Sequence, residues 1–287
     1  MYLLIGSGLV LFCVFGGYLF AGGHIHVLIQ PFEVMIIGGA ALGAFIISNR
    51  KVVITSVFGA VMGLLKGEKY DKDAFLELLS LLYTIFRLAK TRGALALEAH
   101  VERPEESALF QAFPKFYADH HALVFLCDYL RLLTLGTDNH HEMESLMEEE
   151  IETHHTEHEA IVNAISNTAD GMPALGIVAA VLGVIHTMGS ITEPPAVLGE
   201  LIGGALVGTF LGVLLSYGFI APIANSIKMR GEAEQRYYLC MKAAILAYMQ
   251  GYAPSIAVEF ARKALFSDVR PTFYEVEDAT QNAPQIS

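Results

Sequence analysis

Residues 203–226 read "GGALVGTFLGVLLSYGFIAPIANS". The run carries no charge and is long enough to cross a bilayer, which takes about 20 helical residues. Small residues recur at every fourth position: Gly204, Gly208, Gly212 and Ser216. One hydroxyl, Thr209, stands at mid-depth, and Pro222 closes the apolar stretch. A smooth ridge of this kind lets another helix backbone approach closely. What packs there, and what the hydroxyl does, depends on the rest of the chain.

That rest is apolar too. Of 287 residues, 54% are hydrophobic and 17% charged, a balance that points to a membrane protein with a soluble portion. The net charge of −12 argues against nucleic-acid binding, since no basic patch is present to meet phosphates. Cys13, Cys127 and Cys240 are too far apart to form a metal or disulfide pattern and read as packed free thiols. Apolar runs at about 2–21, 33–49, 171–191 and 200–222 predict four spans. The first has no preceding Lys or Arg and no clear cleavage site, so it does not read as a signal peptide. A fifth run, residues 52–65, is short and has basic residues on both flanks, which predicts an interfacial helix at about 51–66.

The basic residues set the orientation. Eleven lie in 50–131 and seven in 228–270, which accounts for all eighteen. By the positive-inside rule, 50–170, 223–287 and both termini face the cytoplasm, while the two short uncharged loops face out. The predicted architecture is an all-α integral membrane protein with a large helical cytoplasmic domain. Its parts are spans one and two with their short loop (1–49), the cytoplasmic helical domain (50–169), spans three and four (170–222) and a cytoplasmic C-terminal helical region (223–287).

Within the cytoplasmic insertion, "DAFLELLSLLYTIFRLAKTRG" and "KFYADHHALVFLCDYLRLLTLG" place apolar residues at helical spacing, and each ends on glycine. The stretch "NHHEMESLMEEEIETHHTEHEA" has eight Glu and no Lys or Arg. His154 and His158, four apart with Glu150 and Glu157 nearby, admit a metal reading. No Cys joins them, and a solvated acidic face is the preferred one, so no metal site is assigned.

Span three repeats the small-residue pattern at Gly176, Ala179 or Ala180, and Gly183. The ridges can serve packing within one subunit or against a separate helix, and the sequence does not choose. Pro173 and Pro222 sit at the same cytoplasmic boundary. They can form a bendable collar, or simply lie in the first turn of one helix and past the end of the other. Spans three and four lack a carboxylate at mid-depth: Glu200 is near the outer edge, Asp170 near the inner edge, and Glu33 begins span two. A proton path normally needs a titratable group inside the membrane. Either nothing is conducted, or a partner helix brings the carboxylate.

The stretches "GGYLFAGGHIHVLIQPFEVMIIGGA", "LALEAHVERPEES", "EEEIETH", "DGMPALGIVAAVLGVIHTMGS", "GALVGTFLGVLLSYGFIAPIA" and "GYAPSIAVEFARKALF" run in order from near residue 15 to about 273. Together they resemble the MotA family of flagellar motor stators, within the MotA/TolQ/ExbB group. The resemblance implies a partner, MotB, whose single membrane helix carries the missing Asp. It implies a ring of copies, pentameric, around a MotB dimer in the bacterial inner membrane. Proton flow would turn the ring, and its cytoplasmic domain would push on FliG of the rotor. The chain would be a channel and motor subunit rather than an enzyme, with the proton as coupling ion and no other cofactor. Residue by residue, Asp170, Pro173 and Pro222 match family positions tied to torque, and Thr209 matches a hydroxyl facing the MotB Asp. Glu98 matches the acidic rotor contact. The basic contact falls among Arg87, Lys90 and Arg92, with Lys90 or Arg92 favoured. Sodium-driven relatives carry a second Thr where this chain has Ala180, which favours protons. The rival readings are an ExbB/TolQ-type energiser, whose family has three spans and an external N-terminus, and a membrane scaffold that conducts nothing and needs no Thr209.

Overall fold

The structure, a computed structural model, describes residues 2–284, which are helical with no strand among them. In chain order the helices are α1 (Tyr2–Phe20), α2 (Ile25–Leu28), α3 (Pro31–Ser48), α4 (Lys51–Leu64), α5 (Lys72–Arg92), α6 (Glu98–Glu102), α7 (Ala108–Gln111), α8 (Pro114–Tyr117), α9 (His120–Thr134), α10 (His140–Met188), α11 (Pro195–Leu215), α12 (Ala221–Met249), α13 (Pro254–Lys263) and α14 (Phe273–Gln281). A π-helical segment, Ser216–Ile220, joins α11 to α12 without a break. Four helical stretches are long and apolar enough to cross a membrane: Leu3–Phe20, Ile25–Ser48, and parts of His140–Met188 and Pro195–Met249.

The chain forms two units, each with its own packing. The first takes the chain up to Gly67 with Glu157–Arg230; the second takes Glu68–Thr156 with the chain from Gly231 onward. The divisions fall inside α10 and α12.

The second unit is an ordinary helical core. Its local signals are strong. Asp71 caps α5 by accepting the Ala74 N–H at 2.8 Å, and Gly93, at φ +86°, ends that helix where a side chain would be strained. Asp119 caps α9 in the same way. Thr272 and Glu275 cap α14 reciprocally. The apolar faces meet in a cluster of Phe75, Leu82, Phe86, Phe125, Leu126, Met147, Tyr237 and Ile245. Tyr237 sits among Tyr70, Phe75 and Phe116, and Phe86 stacks on Tyr248 with ring centres 4.6 Å apart. One carboxylate is buried here and fully partnered: Asp119 receives Tyr70 Oη at 2.9 Å, Lys69 Nζ at 2.9 Å and the Ala122 N–H. Cys127 and Cys240 are buried thiols in this core, and burial pushes Cys127 up to about 12.

The His154 ring stacks on Tyr238, and His158 Nε2 lies 3.0 Å from the Ile227 carbonyl. Glu150 accepts a hydrogen bond from Tyr129 Oη at 2.6 Å. Among the described residues no group of three His, Cys, Asp or Glu side chains is placed to hold a metal ion.

In the first unit, α4 lays Val57, Ala60, Val61 and Leu64 against Val162, Ile165, Ala224 and Ile227. Arg230 Nη1 donates to the Gly63 carbonyl at 2.5 Å, tying the C-terminal end of α4 to α12. Val52 and Phe58, on α4, remain exposed. One face of α4 is therefore packed on the helices, and another presents apolar side chains outward, as an interfacial helix would.

Candidate functional site

The small-residue ridges of α10 and α11 face each other inside the chain. A Cβ added at Gly176 would lie 2.7 Å from the Gly208 carbonyl oxygen and 3.3 Å from Thr209 Cα. One at Gly212 would lie 2.7 Å from the Met172 oxygen and 2.9 Å from Gly176 Cα, and one at Gly183 would meet Ala205 Cβ at 2.7 Å. These approaches are closer than any side chain allows, so glycine is what permits the two backbones to touch. The ridge of α11 is thus used within one subunit, which decides between the two packings that the sequence leaves open. α1 joins the same unit through an edge-to-face contact of Phe15 with Phe210.

Thr209 lies on the flank of this seam, half-buried, on the turn that faces Gly176 of α10. Among the described residues its hydroxyl has no hydrogen-bond partner. By contrast Thr168 and Thr187 of α10 turn theirs back to the carbonyls of Ala164 and Gly183. Thr209 therefore has both a donor and an acceptor to offer. Ala180 is buried beside Gly208 and brings no side-chain oxygen.

The two prolines lie inside continuous helix, neither at a first turn nor past an end. Pro173 is within α10, and Pro222 is the second residue of α12, directly after the π segment. Pro173 has no N–H to give to the carbonyl four residues back, that of Ala169. Ser216 supplies the missing donor: its Oγ, fully buried, reaches the Ala169 oxygen at 2.6 Å. The π segment places the wider turn next to Pro222, where a regular α-helix would have one more hydrogen bond than proline can make. Both irregularities sit on one level of the unit, bridged by Ser216. Asp170, one residue beyond Ala169, is exposed.

The four charges matched to the rotor contact lie in the second unit. Lys90 and Arg92 end α5, Glu98 opens α6, and the short 3-10 turn Ala94–Leu97 connects them. Lys90, Arg92 and Glu98 are exposed, as is Leu95 between them, and none of the three makes an ion pair among the described residues. Arg87 is half-buried with its guanidinium over the Tyr83 ring, 5.6 Å from the centre, so its charge is partly committed within the chain. Burial holds His100, in α6, below its ordinary value, and its Nδ1 lies 2.8 Å from Ser107 Oγ.

The sequence sets Glu33 at the start of span two, and it stands in the first turn of α3. In the structure the chain returns through α2 and Gln30 alongside α11, with Gln30 Nε2 over Gly204. α3 therefore begins already abreast of the seam, and the Glu33 carboxylate lies between Gly208 and Gly183. The signal available was a lone carboxylate in an apolar run, "QPFEVMIIGG".

The chain thus combines four membrane-length helical stretches, a glycine seam between α10 and α11, two prolines within continuous helix, and exposed charges at Lys90, Arg92 and Glu98. The chain matches the family model "Motility protein A N-terminal" over residues 4–93 and "MotA/TolQ/ExbB proton channel family" over 120–239. It is 45% identical over 278 residues to Motility protein A of Salmonella typhimurium, covering 97% of this chain and 94% of that one. The chain belongs to the Motility protein A family. Two solved structures share its fold. The C. jejuni MotAB structure superposes with a TM-score of 0.78 at 20% identity, covering 93% of this chain and 96% of that one. The flagellar MotAB stator complex of Bacillus subtilis superposes with a TM-score of 0.71 at 25% identity, covering 89% and 92%.

Proposed function

We infer that this chain is a stator subunit of the flagellar motor. It is a membrane-embedded channel and motor component rather than an enzyme, working with a MotB-type partner in an oligomer. The observation that carries the mechanism is one unclaimed hydroxyl, Thr209, on the flank of a seam whose two helices, α10 and α11, bring no charge of their own at that level. An ion path needs a titratable group within the membrane, and α10 and α11 supply none at that level. The single helix of MotB would bring its Asp against Thr209. A hydroxyl can donate to the ionised carboxylate and accept from the protonated one, so it serves both states of a proton carrier. Dehydrated sodium would need several oxygen ligands, and Ala180 offers none from its side chain. The proton is therefore the coupling ion. Copies of the chain, five by the family resemblance, form a ring around the partner dimer in the inner membrane. The one-sided basic residues put both termini in the cytoplasm. Protonation of the partner Asp biases the seam near Pro173, Ser216 and Pro222, and the charged hairpin of Lys90, Arg92 and Glu98 engages the rotor protein FliG.

The test is rotation of tethered cells that depend on this chain, in sodium-free buffer, with a protonophore as control. Rotation persists without sodium and stops with the protonophore. Rotation that stops on sodium removal, yet survives the protonophore while sodium is present, would overturn the ion assignment.

A further inference from the structure

The path proposed above takes its carboxylate from a partner, yet this chain buries one of its own. Glu33 is 8% exposed, and its Oε2 is buried with no hydrogen-bond partner. The space it fills is left by two glycines on different helices. A Cβ at Gly208 of α11 would lie 2.6 Å from Oε2, and one at Gly183 of α10 would lie 3.4 Å from Oε1. The residues abreast of it are Ala179 and Ala180 of α10 and Gly204 and Ala205 of α11, none of them ionisable. The remaining titratable groups on those helices within the membrane are His186 and Glu200, one or two turns away and exposed; α3 has no other. Asp119 shows how the chain treats a carboxylate that only stabilises structure: three donors surround it. Glu33 has nothing of the kind. An unpaired carboxylate in an apolar setting is costly, and an apolar side chain of similar volume would fill the slot without that cost. A structural role alone does not account for it. Toward its outer side lie two polar side chains already engaged: Gln30, whose Nε2 donates to the Val27 carbonyl, and Thr187 of α10, whose Oγ1 donates to the Gly183 carbonyl.

We propose that Glu33 is a proton-carrying carboxyl of the ion path, built into this chain beside the Thr209 level and distinct from the carboxylate a partner supplies. The inference rests on the proton-driven stator reading. In the step, a hydronium ion arriving with the water past Gln30 gives up a proton: one of its O–H bonds breaks, an O–H bond forms on a Glu33 carboxylate oxygen, and neutral water is left. When the partner helix presents its ionised carboxylate at the seam, the Glu33 O–H bond breaks and the proton passes to that group. Glu33 returns to the ionised state only while entering water or the approaching group is at hand.

The experiment uses the full chain assembled with its single-span partner in lipid vesicles. Proton uptake at a fixed membrane potential is followed with a pH-sensitive dye over a series of external pH values, per assembled complex, for the wild type, Glu33→Gln and Glu33→Asp. The expected result is a severalfold lower flux and a flatter pH dependence for Glu33→Gln, with most of both restored in Glu33→Asp. A Glu33→Gln complex that matches the wild type in flux and pH profile would overturn the proposal. So would a Glu33→Asp complex as impaired as Glu33→Gln, because shape and not titration would then be what matters. A wild-type complex that passes no protons would overturn the proton-driven reading itself, and this inference with it.

Discussion

Thr209 and Ser216 are two hydroxyls seven residues apart on one helical run, and they do opposite things. Ser216 is fully buried and spends its proton on the Ala169 carbonyl. Thr209 is half-buried and spends nothing. A helical threonine commonly bonds a carbonyl three or four residues back, as Thr84 does with Ser80 at 2.8 Å. An unclaimed hydroxyl on the flank of a packed seam is free to meet a group arriving from outside the chain. A hydrogen bond to a charged group contributes about 1.5–3 kcal/mol, and losing it at the step that limits proton transfer slows that step by roughly tenfold or more. Thr209→Val keeps the shape and removes only the hydroxyl. Tethered cells carrying it should rotate about tenfold more slowly at low load, with normal amounts of assembled complex in the membrane. Full-speed rotation would mean that the hydroxyl faces nothing that matters. Ala180 makes the complementary point: it is buried, its backbone nitrogen lies beside Gly208, and its side chain brings no oxygen.

At the scale of elements, the glycine seam and the proline level are one construction. Close approach of α10 and α11 at Gly176, Gly208 and Gly212 brings Ser216 within reach of the carbonyl that Pro173 leaves without a donor. Removing the donor from a buried carbonyl costs about 1–3 kcal/mol. Ser216→Ala should lower the stability of the detergent-purified protein by about that amount, read as a fall in melting temperature. Pro173→Ala restores an N–H to the Ala169 carbonyl, so the same Ser216→Ala change should cost much less in that background. Equal costs in both backgrounds would show that the two sites are not coupled. Much of this was legible in the sequence. The helical class, the four apolar stretches and both ridges follow from composition and spacing alone, because bilayer thickness and the period of a helix leave few alternatives. Which surface each ridge meets was not, because Gly208 would offer the same smooth face to a neighbour in the chain or to another protein. The prolines misled for a related reason. Proline usually marks a helix boundary, but a π segment and a serine from the next helix can supply what it lacks. The burial of Glu33 was not legible either, because the sequence sets the order of α2 and α3 but not how deep the chain re-enters before α3 begins.

At the scale of the whole molecule, the glycine seam lies in one unit and the exposed charges Lys90, Arg92 and Glu98 in the other, so the reading proposed above gives each unit a separate task. The second unit buries many large side chains, each worth about 1.5–3 kcal/mol on burial. Its surface charges at Lys90, Arg92 and Glu98 can therefore change without loss of the core. They are poorly placed to stabilise the fold, since none pairs with another, and Gly93 turns the chain between the basic end of α5 and the Glu98 helix. Charges kept unpaired on an exposed hairpin suit a partner surface of opposite pattern. An exposed ion pair contributes only about 0–1 kcal/mol, less as salt rises. No single one of them should therefore be decisive. Glu98→Lys alone should reduce swimming on soft agar in part. Reversing Lys90 and Arg92 to Glu in the same chain should nearly abolish it. Proton uptake by the assembled complex should stay at the wild-type level throughout, because the seam of Gly176, Gly208 and Thr209 is untouched. That separation is the point of the measurement. Loss of both swimming and proton uptake would place these charges in folding or assembly. Normal swimming in the combined reversal would remove the electrostatic contact altogether. Swimming restored by reversing charges on the rotor partner would fix the hairpin as the surface through which force leaves the stator.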